Sequence, residues 1–234
     1  MTSPRLIIGD LPKAGRILLD PEEARHLSTL RMRVGDSVVL CDGRGSEALC
    51  CLTAPGEADI LELRPSERED YIVPVHLYPS VSKGERFEWT LQKATELGVA
   101  SVTPVISERC VAGVPSADRM ERFKKIIRSA AEQSGRSWLP ELLAPIPFAE
   151  AAQAAEGVKL FCYEEETEGS LKGALRAPIR SPVSVLTGPE GGYTPEEARL
   201  AGENGFQSVS LGRGILRCET APLMVLSVIR FIEM

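Results

Sequence analysis

Near residue 70 the apolar residues of this 234-residue chain change their rhythm, and that change restricts the fold more than any single motif. Before it, RLIIG, GRILL, DSVVLCDG, SEALCCLT and ADILELRP place apolar residues near alternate positions, with Gly, Asp or Pro at their turns. That is the pattern of short strands, and it predicts a small β-domain. Within it PEEARHLSTLRM predicts one short helix, because Pro21 suits a first turn and Glu22 and Glu23 complement the positive amino end. The polar, charge-rich PSEREDYI then interrupts the strands. It makes 66–72 the linker and divides the chain into a domain of 1–72 and a domain of 73–234.

After VPVHLYPSV, helices alternate with strands. KGERFEWTLQKATELG sets Phe87, Leu91, Ala94 and Leu97 on one helical stripe and supplies Gly98 as a stop. VASVTPVI reads as a strand. SADRMERFKKIIRSAAEQSG reads as a second helix, with Asp118 and Glu121 as its amino-terminal capping pair and Gly135 at its end. VKLFCY is another strand, and SPVSVLTGPEGGYTPEEARLAGENGFQSVSLG contains a strand, a glycine-rich turn, a helix and a strand. TAPLMVLSVIRFIE is the final helix. Such alternation predicts an α/β domain rather than a second barrel.

No apolar stretch is long enough to cross a membrane, and the start MTSPRLIIGDLPKAGR lacks the marks of a secretion signal, so the expected location is the cytoplasm. The six cysteines show no CxxC element and the histidines are only His26 and His76, so no metal is expected. A formal charge of -6 argues against a long, featureless nucleic-acid surface. It leaves room for a local one: residues 119–136 hold six basic against two acidic side chains, Arg128 and Arg136 among them. That stretch suits phosphate contacts and equally suits an ordinary solvated helix face. Arg5, Arg25, His26 and Arg31 lie in the first 72 residues, where acids outnumber bases, so shape must count for more than bulk attraction.

Two glycine turns follow strands and precede helices. In the first, Thr187–Gly192, the residues Gly188, Gly191 and Gly192 permit close approach to backbone N–H groups, while Thr194 and Glu197 have capping-box spacing. Neither GxGxxG nor GxxxxGK occurs. The second turn, SLGRGILRCETAP, carries Arg217, Glu219 and Thr220: a cation, a possible base and a hydroxyl, or alternatively an ion pair and a cap. In an open α/β sheet two such strand-end loops commonly border a ligand crevice.

RHLSTLRMRVGD at 25–36, KGERFEWTLQKATELGV at 83–99, SERC at 107–110, AAEQSGR at 130–136, TGPEGGYTPEE at 187–197 and LGRGILRCETA at 211–221 together resemble the bacterial 16S rRNA uracil-N3 methyltransferase family of the SPOUT class, over nearly the whole chain. The resemblance implies a PUA-like β-barrel followed by a SPOUT α/β domain with a deep carboxyl-terminal trefoil knot, a topology that periodicity does not reveal. It implies S-adenosyl-L-methionine held by Thr187, Gly188, Glu190, Gly191, Gly192, Leu211, Gly212, Ile215 and Leu216, in a homodimer that completes the site. The implied substrate is one uridine of 16S rRNA near the decoding centre, presented by the 30S subunit and contacted by Arg5, Arg25, His26, Arg31, Arg128 and Arg136.

For the chemistry, Arg217 is expected to stabilise the developing imide charge and Glu219 to take the N3 proton directly or through water. His26 is the alternative base, and Thr220 would organise their hydrogen bonds. Two places depart from the family pattern: Arg213-Gly214 stands where Pro-Arg is common, and Cys218 where threonine is common. For Arg213-Gly214 the expected consequence is altered loop flexibility or substrate affinity rather than abolished cofactor binding. The alternatives are a noncatalytic rRNA-binding or ribosome-assembly protein, or a SPOUT methyltransferase acting on another RNA position.

Overall fold

A computed structural model describes residues 3–65, 73–175 and 178–233; the expected linker at 66–72 lies outside the described residues. The chain divides into two compact units, Met1–Asp70 with Arg128–Leu139, and Tyr71–Ile127 with Pro140–Met234.

The first unit carries β1 (Arg5–Ile7), β2 (Arg16–Leu18), α1 (Pro21–Thr29), β3 (Ser37–Cys41), β4 (Ser46–Ala54) and β5 (Glu57–Pro65). Its five strands form one sheet in the order β1-β3-β4-β5-β2, with β1 and β3 parallel and the other neighbours antiparallel. Side chains alternate across the sheet. Leu6, Val38, Leu40, Ala48 and Cys50 enter one core together with Leu27 of α1, while Ile7 and Cys41 turn to the other face and meet Ala131. Helix α1 starts where Asp20 accepts from the backbone of Glu22 and Glu23 and Glu23 returns a carboxylate to the Asp20 N–H. Arg31, just past its end, has φ +60°, the left-handed conformation that commonly closes a helix and that glycine usually supplies.

Residues 128–139, placed by sequence in the later domain, join the first unit through bonds to its strands and turns. The Ile7 N–H donates to Glu132 Oε1 at 2.9 Å, Ser137 Oγ donates to Glu47 Oε2 at 2.7 Å, and the Leu139 N–H donates to Gly43 O at 2.9 Å. These pairings link residues 90 or more positions apart, so periodicity could not disclose them.

Along the second unit run β6 (Val75–Pro79), α2 (Arg86–Glu96), β7 (Ser101–Val102), β8 (Val105–Ile106), α3 (Ala117–Ser134, of which 128–134 belong to the first unit), β9 (Glu141–Leu142), β10 (Ile146–Pro147), α4 (Phe148–Ala154), β11 (Val158–Cys162), α5 (Leu171–Ala174), β12 (Val183–Thr187), α6 (Pro195–Glu203), β13 (Gln207–Val209) and α7 (Ala221–Glu233). Six strands make a parallel sheet in the order β13-β11-β12-β6-β7-β9, and β8 pairs with β10 apart from it. Every residue of β12 is buried, as suits a parallel strand covered on both faces.

Two local expectations are corrected. VASVTPVI is two short strands, not one: Pro104 has no N–H to continue a ladder, and its carbonyl accepts from Ile146 as the chain passes from the large sheet to the small one. Helix α3 is capped by Ser116, whose hydroxyl accepts from the Arg119 N–H at 3.3 Å, while Glu121 pairs with Lys124 at 2.7 Å. The terminal helix is fastened by the buried Arg230, which donates to Leu97 O, Val73 O and Gly98 O and pairs with Glu233 at 2.6 Å. Among the described residues no helix is long and apolar enough to cross a membrane.

Candidate active site

Strands β13, β11 and β12 lie side by side and point the same way, so their carboxyl ends release three loops along one edge of the sheet. Between those loops is a cleft of about 920 Å³, within the range of small-molecule sites. Gly188, Glu190, Gly191 and Gly192 border it from the loop after β12. Leu211, Gly212, Ile215, Leu216, Arg217 and Glu219 border it from the loop after β13. The two glycine turns therefore meet.

The first loop leaves β12 at Thr187, whose carbonyl accepts from the Ser80 N–H at 2.8 Å. Thr187 itself is 1% exposed, and its hydroxyl has no hydrogen-bond partner among the described residues. Tyr193 ends the loop as a buried anchor, its ring 4.6 Å from that of Phe161 and 5.3 Å from that of Phe148. Burial holds its phenol well above the ordinary value of 10, so it stays protonated. Thr194 and Glu197 then form the expected capping box of α6. Gly192 has φ +68°, a conformation that favours glycine; a Cβ there would meet the end of the exposed Glu164 side chain, which would have to swing aside.

Glu190 faces back into the fold: its Oε1 accepts from the Lys83 N–H at 3.0 Å and from Arg86 Nη1 at 2.8 Å. Burial, the largest influence, pushes this carboxyl up, but the backbone N–H groups of Glu190 and Lys83 and the Arg86 guanidinium together hold it below the ordinary 4.5. Glu190 thus ties the loop to the start of α2 as well as lining the cleft.

In the second loop Ile215 stands 86% exposed. Glu219 is largely enclosed, with its side chain 14% exposed; Oε2 accepts from the Cys218 thiol at 3.2 Å and Oε1 lies 4.0 Å from Arg217 Nη1. Burial first, and the bond to Glu219 second, push the Cys218 thiol up to about 11, so at neutral pH it is a donor rather than a nucleophile. Thr220 immediately precedes α7; its carbonyl accepts from Met224, and its N–H donates to Arg217 O at 2.8 Å. Thr187 and Thr220 are the two cleft candidates that support its walls without lining it.

The remaining candidates belong to the first unit. Arg25 is exposed and His26 half-buried on α1, Arg31 is exposed past its end, and Arg136 is half-buried after α3. Arg5 is already engaged: Nη1 meets Glu47 at 2.6 Å and also donates to Ser137 Oγ and Cys41 Sγ. Arg128 donates to Ile7 O and lies within ion-pair distance of Glu132 and Glu23.

Sequence reasoning missed the third wall, Cys162, Tyr163, Glu164 and Glu166, together with Arg86 and Cys218. The signal was there in YEEE directly after VKLFC, at a strand's carboxyl end. What hid it was strand order: β11 lies between β13 and β12, which is not the order of the chain.

A model of the RNA methyltransferase domain matches residues 69–230, and one of the RNA methyltransferase PUA domain matches 19–64. A ribosomal RNA small subunit methyltransferase E from Synechocystis sp. is 37% identical over 204 residues, 85% of this chain and 67% of that protein. The chain belongs to the ribosomal RNA small subunit methyltransferase E family. Its later part is accordingly a SPOUT-type α/β methyltransferase domain, preceded by a curled PUA-like β-sheet. The methyltransferase E of Bacillus subtilis is 31% identical over 90% of this chain and 88% of its own length. A methyltransferase E from Neisseria gonorrhoeae, solved bound to S-adenosyl methionine, superposes with a TM-score of 0.90 at 35% identity over 98% of both chains.

Proposed function

We propose that this methyltransferase E family member transfers a methyl group from S-adenosyl-L-methionine to N3 of one uridine of 16S rRNA, near the decoding centre of the 30S subunit, in the cytoplasm. The observation that carries the reading is the meeting of both glycine loops in one cleft at the carboxyl edge of a parallel sheet.

The cleft's chemistry fits the cofactor. Leu211, Ile215 and Leu216 offer apolar surface to a nucleoside, and Gly192 leaves no side chain in the way. The buried, unpartnered Thr187 hydroxyl stands at the base of the same loop. Glu164, Glu166 and Arg86 supply both signs of charge for an amino acid moiety. When bound, S-adenosyl-L-methionine supplies an electrophilic methyl group on a positively charged sulfur. Thr187, Gly188, Glu190, Gly191, Gly192, Leu211, Gly212, Ile215 and Leu216 hold it in this reading.

Glu219 takes the proton from uracil N3, directly or through water, with its position held by the Cys218 thiol. Arg217 offsets the negative charge that develops on the imide, and the exposure of 81% of its side chain lets it reach a large substrate. Thr220 holds the Arg217 carbonyl in the turn before α7. Orientation of two bound reactants supplies much of the acceleration. Arg25, Arg31 and His26 contact the RNA from α1 and its end, and His26 is the second candidate base.

We further propose a homodimer, supported by the exposed Ile215, Met224 and Phe231 on and beside α7. The test of function uses 30S subunits lacking the modification, incubated with the protein and labelled S-adenosyl-L-methionine. Nucleoside mass spectrometry should find N3-methyluridine at one position; intact subunits and bound cofactor without that product would sink the reading.

A further inference from the structure

The segment SERC at 107–110 does not line the cleft, yet it bonds to the glycine loop at two points and to the start of α6 at a third. Arg109 Nη1 donates to Gly191 O at 3.1 Å and to Tyr193 O at 3.2 Å. The Glu108 N–H donates to Glu197 Oε1 at 2.9 Å, at the start of α6. A Cβ on Gly191 would lie 3.1 Å from Arg109 Cβ, so the two chains pass closely. The segment is itself closed by the Cys110 N–H, which donates to Ser107 O at 3.1 Å.

A planar peptide fixes its N–H once its carbonyl is held. Arg109 holds the carbonyls of residues 191 and 193, while the N–H groups of the same two peptides, on Gly192 and Thr194, donate to Pro189 O at 3.0 Å and Glu197 Oε2 at 2.9 Å; Arg109 therefore shares with those bonds the ordering of two peptide planes in a glycine-rich stretch. Ordering such a stretch at the moment of binding lowers affinity by the fraction of time the loop is competent.

We propose that Arg109 is a positioning residue that grips the Gly188–Tyr193 loop from behind and keeps it in the conformation that receives S-adenosyl-L-methionine. The inference rests on the reading that the cleft takes this cofactor. Since Arg109 acts through the loop, its loss raises Kd and KM for the cofactor while kcat at saturation changes much less. One Nη1 serves both carbonyls, so a lysine ammonium can replace it in part.

The test measures cofactor affinity by titration calorimetry on the full chain, and amide hydrogen exchange of the cofactor-free chain. Arg109→Ala should weaken S-adenosyl-L-methionine binding by roughly tenfold or more. Exchange should accelerate at residues 190–194 and not in α2 or α7. Arg109→Lys should recover affinity to within about threefold of the parent, as expected if a charged donor to the same carbonyls is what matters. Cofactor affinity within twofold for Arg109→Ala, or unaltered loop exchange, overturns the proposal, as does a variant that weakens RNA binding alone. The exchange measurement needs no cofactor, so it also decides the matter if the alanine chain proves hard to saturate. A parent chain that binds no S-adenosyl-L-methionine refutes the cofactor reading itself, and the role of Arg109 toward that cofactor with it.

Discussion

Glu219 and Arg217 are two residues apart, yet the loop encloses one carboxylate and leaves the other side chain's guanidinium in solvent. Their 4.0 Å separation in this setting is worth little as a salt bridge, so the pair contributes little to stability. Glu219→Gln keeps the size and removes the proton acceptor. It should lower kcat roughly 100-fold with cofactor affinity almost unchanged, measured by single-turnover methyl transfer and calorimetry. Unreduced transfer would reassign the base, with His26 next in line. Other residues could be classed from sequence only as cations. Arg5 and Arg128 prove to be bonded inside the first unit, whereas Arg25 and Arg31 stand exposed. Arg128 has one nearby partner, Glu132 four residues on, but the bonds of Arg5 to Glu47 and of Arg128 to Ile7 span 42 and 121 positions, beyond the reach of any local pattern.

Helix starts and stops were the most legible elements. The capping box at Thr194 and the stop at Gly98 depend on residues within one turn and occur where their spacing puts them, whereas the cap of α3 falls on Ser116 rather than on the Asp118–Glu121 pair. Short elements such as β9, β10 and α4 left no such mark, since two to seven residues carry too little periodicity. The terminal helix combines both kinds of information. Its apolar run announces a buried face, but its position depends on Arg230, whose guanidinium satisfies three backbone carbonyls and Glu233 in a dry environment. Arg230→Met should cost about 3–5 kcal/mol, because it strands those acceptors and a buried carboxylate. Denaturant unfolding would show it, and adding Glu233→Met should recover part of the loss. An Arg230→Met chain as stable as the parent would mean that apolar packing alone seats α7.

At the scale of the molecule, the charge of -6 conceals an uneven distribution, and much of the basic run on α3 is paired: Arg122 with Glu88, Lys124 with Glu121, Arg128 with Glu132. RNA recognition by such a chain depends on a few exposed cations and on shape rather than on a broad field. Light scattering should give twice the chain mass of 25.4 kDa, and Phe231→Glu, at a position 78% exposed, should reduce it toward the monomer. A parent chain that scatters as a monomer would end the dimer proposal. The sequence by itself determined the strand-rich start, the α/β continuation, the capping box of α6 and the two glycine turns, because each depends on residues close together along the chain. Only the tertiary structure decided that residues 128–139 pack with the first unit, that YEEE supplies a third wall, and that Arg109 bonds to the carbonyls of Gly191 and Tyr193. Those outcomes follow from strand order and from hydrogen bonds between distant segments, which bring together groups that no local spacing relates.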